Sequence, residues 1–170
     1  MTRYLFKRGF QIEKQATPTA CLAAASRSLL VAHDVATRFD VGVGGAPLSQ
    51  SDLDTEIKRS THSCGDWSVD LKIAISRLQV QAMVATTTIP PKMLESLLLA
   101  GDGVGYAHQG VIAPSKVGHQ WHALVLHHDL SSWHLADPSS GTSTLVADWG
   151  KDVLPRYSGW LIFVEPIRPP

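Results

Sequence analysis

Helical spacing of apolar residues dominates the first hundred positions of this chain, and two-residue alternation dominates the rest. Residues 19–34 form an alanine-rich run behind Pro18, with Thr19 placed to cap a helix that can pack closely in a core. "SQSDLDTEIKRS" (49–60) offers Ser and Asp caps ahead of a short amphipathic helix. "SVDLKIAISRL" (68–78) sets Val69 and Ile73, with Leu71, Ile75 and Leu78, near helical spacing. "IPPKMLESLLLAGDG" (89–103) has proline at its head and glycine past its end, the asymmetry of helix termini. "VQAMVAT" (80–86) reads as a strand. After residue 104 come "VGYAH", "QWHALVLHH" (120–128), a turn at "DLSS", "WHLADP" (133–138) and "GWLIFVEP" (159–166). Helices followed by strands predict an α+β fold, with N-terminal helices packed on a C-terminal antiparallel β-sheet. "DVGVGGAPLSQSD" (40–52) reads as a surface loop, and no repeat or linker divides the 170 residues, so 1–170 reads as one domain.

Composition removes several function classes. Fifteen basic and fifteen acidic residues cancel without forming a basic stripe, which argues against direct nucleic-acid binding. The apolar runs are too short to span a bilayer, so no membrane insertion is expected. "MTRYLFKRGFQIEKQ" is basic but lacks the apolar stretch and cleavage site of a secretory signal, which predicts a soluble protein. Cys21 and Cys64 make neither a disulfide framework nor a zinc site, although the sequence leaves a single bridge between them open. The pairs in "HQWH" and "HH" give no metal motif, since adjacent imidazoles on a strand point to opposite faces. No HExxH helix is present, so no metal or other cofactor is expected.

"QATPTACLAAASRSLL" (15–30) places Cys21 at the head of the first helix, six residues after Gln15. A cysteine is a nucleophile as its thiolate, which a helix N-terminus and a neighbouring imidazolium both favour. Of eight histidines, His122 opens an apolar strand, where alternation would hold its ring at the sheet's end. His119 is its chief rival but follows Gly118 in a stretch that reads as loop. With the hairpin turn centred between Leu130 and Ser131, His122 and Asp137 lie equally far from it to within two residues. An acid there can accept a hydrogen bond from one imidazole nitrogen and aim the other at a thiol. The Gln15 amide could point at the same carbonyl oxygen as the Cys21 N–H, as an oxyanion donor. Taken singly, each has a plain alternative: cysteines are often core residues, and "DPSSG" is common turn chemistry. Their joint placement carries the weight.

"Q-x5-C-x-A-A" at 15–24, "W-H-x-x-V-L" at 121–126 and "A-D-P-x-x-G" at 136–141 resemble the papain-like cysteine peptidases of compact bacterial type. Type III effector proteases and the bacteriocin leader-processing peptidase domains of ABC transporters are similar kinds. The resemblance runs from residue 15 onward and includes "LLLAGDGVGYAH" (97–108). It implies a papain-like fold, with Cys21 as nucleophile, His122 as base, Asp137 as orienting acid and Gln15 in the oxyanion hole. Leu22 departs from the Trp or Gly usual after the cysteine, so the subfamily stays open.

Three functions follow. The first is a peptidase cleaving a protein or peptide through a thioester. The second is a transglutaminase- or deamidase-type acyl transferase using the same trio, although the 101 residues from Cys21 to His122 are long for compact members of that group. The third is a catalytically silent binding module. The resemblance further suggests a bacterial effector or toxin, acting in the cytoplasm or delivered by a secretion system, with an immunity or inhibitor protein as partner. Loops 40–67 and 108–120 are expected to form the pocket, with Cys64 as a loop thiol. Trp121 and Trp133 pack across strands or line a groove, and His127 and His128 flank the hairpin in solvent.

Overall fold

Neighbouring residues of the central strands belong to different hydrophobic cores. Ile112, Ala123, Val125, Ala136, Ile162 and Val164 lie in one buried cluster, while Val111, Ala113, Leu124, Leu126, Leu135, Leu161 and Phe163 lie in another. Side chains of a strand alternate between faces, so the sheet is buried on both sides. The computed structural model describes residues 4–35, 48–64, 66–99, 108–117 and 120–167, with the backbone alone for 60–64 and 117.

Its elements, in chain order, are α1 (Cys21–Ala32), α2 (Gln50–Cys64), α3 (Trp67–Arg77), β1 (Ala82–Thr88), α4 (Pro91–Leu99), β2 (Gly110–Val117), β3 (Gln120–His128), β4 (Trp133–Asp137), β5 (Thr142–Leu145), α5 (Trp149–Asp152), a 3₁₀ turn (Leu154–Arg156) and β6 (Trp160–Pro166). The strands form one six-stranded sheet in the order β1-β6-β2-β3-β4-β5, and every pair is antiparallel. The fold is α+β, as the order of periodicities predicts. Helices α1 to α3 contribute to the first core, through residues such as Leu29, Leu53 and Leu71. Helices α4 and α5 cover the other face through Leu94, Leu98 and Trp149.

Several sequence expectations need correction. The "GVIAPSKV" part of the loop expected at 108–120 is strand β2. Pro114 disguises it, because proline cannot donate to a ladder. The antiparallel β2–β6 pairing is recorded at Ile112 and Ile162, and at Pro114 the carbonyl instead accepts the Ser158 N–H at 3.3 Å. Cys64 ends α2 and is not in a loop. Strand β5 and helix α5 are further elements that the periodicities did not show. Residues 40–47, 100–107 and 118–119 of the expected loops, helix end and "VGYAH" strand lie outside the described residues.

The segment before α1 is extended and pinned along its length. Phe6 N–H donates to Gln109 Oε1 at 2.7 Å, Lys7 N–H to Ala32 O at 2.8 Å, and Glu13 N–H to Ser28 Oγ at 2.9 Å. Gly110 makes room for this strap, since a Cβ there would stand 2.5 Å from Phe6 Cζ.

Candidate active site

Cys21 is the first residue of α1, a buried free thiol that forms no bridge. Thr19 does not cap this helix. The N-cap is Ala20, which offers no side-chain hydrogen bond, and the first turn holds no acidic residue. Thr19 Oγ1 accepts from Lys58 Nζ at 2.9 Å instead. The partial positive charge of the helix N-terminus is therefore unquenched by any cap where the thiol sits.

On β3, Gln120 and Trp121 are exposed, His122 is half-buried, and Ala123 to Leu126 are buried. The strand thus delivers His122 at the point where it leaves the core. The β3–β4 register pairs Val125 with Ala136, and one more step sets Asp137 across from Leu124. Asp137 then shares a face with His122, two residues away along β3. His122 Nε2 lies 2.6 Å from Asp137 Oδ1, which leaves Nδ1 for the thiol. The hydrogen bond with Cys21 is the largest influence raising the His122 pKa above its ordinary value. Burial opposes that rise, and the hydrogen bond and charge of Asp137 reinforce it.

Burial also disfavours the charge on Asp137, but hydrogen bonds outweigh it and hold the carboxyl well below the usual range. His122 supplies one of them. The Ser139 N–H at 2.9 Å and hydroxyl at 2.8 Å reach Oδ1, and Arg156 Nη2 reaches Oδ2 at 3.2 Å. Gln15 stands beside both ends of this chain. Its backbone N–H donates to Pro138 O at 2.7 Å, and its Nε2 donates to Thr17 O at 3.0 Å. The same Thr17 carbonyl accepts the Ala20 N–H at the entry to α1. Gln15 Oε1 is buried without a hydrogen-bond partner. The structure therefore joins His122 to Asp137 by a hydrogen bond, sets the Cys21 thiol where it raises the His122 pKa, and docks Gln15 against Pro138 and Thr17.

No protein-family model matches the sequence, and no curated protein matches it. Among solved structures, the chain is similar to the peptidase domain of Streptococcus ComA, a bifunctional ABC transporter involved in quorum sensing. The match covers 93% of this chain and 99% of that one, with a TM-score of 0.59 and 15% sequence identity. The fold is papain-like.

Within this papain-like fold, sequence reasoning missed two partners of the acid. Ser139 lies in the quoted "ADPSSG" and follows from Asx-turn chemistry, in which an Asp side chain accepts the N–H two residues on. Arg156, in "LPRYSG", carries no local signal, and only the fold brings it to Asp137. His119 lies outside the described residues. His127 and His128 are not solvated as expected: they are 7% and 4% exposed. His127 lies against Phe10, with ring centroids 4.3 Å apart, and its Nε2 meets Ser143 Oγ at 3.0 Å. Trp133 is a core residue, whereas exposed Trp121 joins Trp67, Trp160 and Asp66 around a cavity of about 190 Å³. Among the described residues there is no metal-binding cluster of His, Cys, Asp or Glu. No helix among them is long and apolar enough to cross a membrane.

Proposed function

We propose that the protein is a cysteine peptidase acting on a protein or peptide substrate. One observation carries the reading: His122 Nε2 meets Asp137 Oδ1 at 2.6 Å, while the Cys21 thiol at the head of α1 is the largest influence favouring the charged form of the same ring. A nucleophile, a base and an orienting acid in that order are what acyl transfer through sulfur needs. The papain-like fold supports the same class of chemistry.

In the proposed reaction, Nδ1 of His122 takes the thiol proton and the Cys21 sulfur attacks the scissile carbonyl carbon. The resulting oxyanion lies against the Cys21 backbone N–H and Gln15 Nε2. A carboxamide nitrogen carries two hydrogens, and Thr17 O engages one, leaving the second for the substrate oxygen. The tetrahedral species collapses as the C–N bond breaks, and imidazolium His122 protonates the departing amine. Water, deprotonated by His122, then attacks the thioester and releases the new carboxylate and the free thiol. Asp137 stays ionised throughout and holds the ring in the tautomer that presents Nδ1 to sulfur.

Mass spectrometry of protein substrates incubated with wild type and with Cys21→Ala tests this. New peptide termini that vanish in Cys21→Ala are the expected outcome. A one-unit mass increase or crosslinks in uncleaved substrate would assign deamidase or transglutaminase chemistry instead, because both run through the same thioester (about one unit is simple mass bookkeeping). Cleavage that persists unchanged in Cys21→Ala overturns both. Loss of the general base in His122→Ala is expected to lower kcat by about 10²–10⁴-fold.

A further inference from the structure

Gln15 reaches its place on a segment with no regular secondary structure of its own, so something else must fix it. Gln50, the first residue of α2, supplies that hold. Its Oε1 accepts the Ala16 N–H at 2.7 Å, and its Nε2 donates to Lys14 O at 3.1 Å and Glu13 Oε2 at 3.3 Å. The carboxamide thus satisfies the backbone groups immediately before and after Gln15. Glu13 is itself tied to Arg27 of α1. On the opposite side, the Gln15 N–H bonds Pro138 O, next to Asp137. Gly141 closes that turn through its N–H to Asp137 O at 2.8 Å, in the left-handed region at φ +69°. A Cβ on Gly141 would stand 3.0 Å from Lys14 Cβ and 3.4 Å from Lys14 Cα, so only glycine lets the segment lie this close to the turn.

We propose that Gln50 is a positioning residue for the oxyanion donor: it presses residues 14–16 against the turn that follows Asp137, so that Gln15 and the acid share one register. The inference rests on the peptidase reading for its catalytic meaning, and on the hydrogen bonds around Gln50 for its geometry. Gln50 touches no reacting atom. Its effect runs through Gln15, whose amide must sit within a fraction of an ångström of the developing oxyanion to stabilise it.

Gln50→Met keeps the length of the side chain and removes its hydrogen bonds. With a substrate found by the mass-spectrometric screen, it is expected to lower kcat about tenfold while KM moves less than about twofold, the pattern of a lost transition-state interaction. The rate of Cys21 alkylation by iodoacetamide, which needs no oxyanion hole, stays unchanged. Gln15→Ala should cost about 10²–10³-fold, the range for one lost oxyanion donor. Gln50→Met added to Gln15→Ala should then cost nothing further, since the two act in series. Full additivity of the two losses, or a parallel fall in alkylation rate, overturns the inference. Amide hydrogen exchange at Ala16 provides a readout free of turnover and is expected to quicken at least tenfold in Gln50→Met. If wild type shows no Cys21-dependent turnover, the peptidase reading fails, and exchange alone decides the clamp. Faster exchange at Ala16 upholds it, and unchanged exchange overturns it.

Discussion

At His122, three neighbours set the charge of one ring, and they do not pull the same way. The thiol and the Asp137 carboxylate both favour imidazolium, and burial disfavours it. Arg156 sits on the far oxygen of Asp137, where its positive charge also works against a protonated ring. Removing an anion should lower the His122 pKa, and removing the cation should raise it. NMR titration of the ring is therefore expected to move down in Asp137→Asn, further down in Cys21→Ala, and up in Arg156→Gln. The last shift should stay under about one unit, because Arg156 is two-fifths exposed and solvent screens it. In activity terms, Arg156→Gln should carry the alkaline limb of the pH profile upward. The closeness of His122 to Asp137 was legible in the sequence because strand register is countable: the observed pairing of His128 with Trp133 centres the turn between Leu130 and Ser131, where the residues alone put it. Arg156 was not legible. It meets Asp137 through the path of α5 and the 3₁₀ turn, which no spacing encodes.

At the scale of elements, caps separate what local chemistry decides from what packing decides. Asp66 caps α3 through its side chain, accepting the Ser68 N–H at 2.8 Å and the Ser68 hydroxyl at 2.7 Å. Thr19, the cap expected for α1, is turned toward Lys58 instead. Urea denaturation should therefore show Asp66→Ala costing about 1 kcal/mol and Thr19→Ala within about 0.5 kcal/mol of wild type. The β3–β4 hairpin holds the second surprise. Burial, and then the charge of His134, push the His127 pKa down to about 4, with His128 adding to the fall and Asp129 opposing it. The unfolded chain takes up this proton near pH 6.5 and the folded chain does not, so stability falls as pH drops from about 6.5 toward 4. The full loss amounts to about 3 kcal/mol. His127→Gln should flatten that part of the curve of Tm against pH. The adjacent "HH" looked like solvated punctuation because nothing local shows that Phe10 folds back over it.

At the scale of the molecule, the sheet makes its two cores interdependent. Leu161 and Ile162 are neighbours on β6, both fully buried, yet each belongs to a different core. Leu161→Ala and Ile162→Ala should each cost about 2–5 kcal/mol, and each should leave one cooperative urea transition seen alike by fluorescence and circular dichroism. Separate transitions would mean that the helices on the two faces unfold independently. The α+β class was readable because helical and alternating segments are segregated along the chain. The strand order was not, since it depends on long-range pairing and on β2, which Pro114 hides.

That order puts β6 between β1 and β2, although it follows the other five strands of the described residues in sequence. A nascent chain emerging from the ribosome therefore presents Cys21, His122 and Asp137 well before the strand that joins the two parts of their sheet. Residues from β6 fill both cores, so a chain that stops short of Trp160 lacks part of each. A chain truncated before β6 would hold Cys21, His122 and Asp137 without the residues that complete the two cores around them.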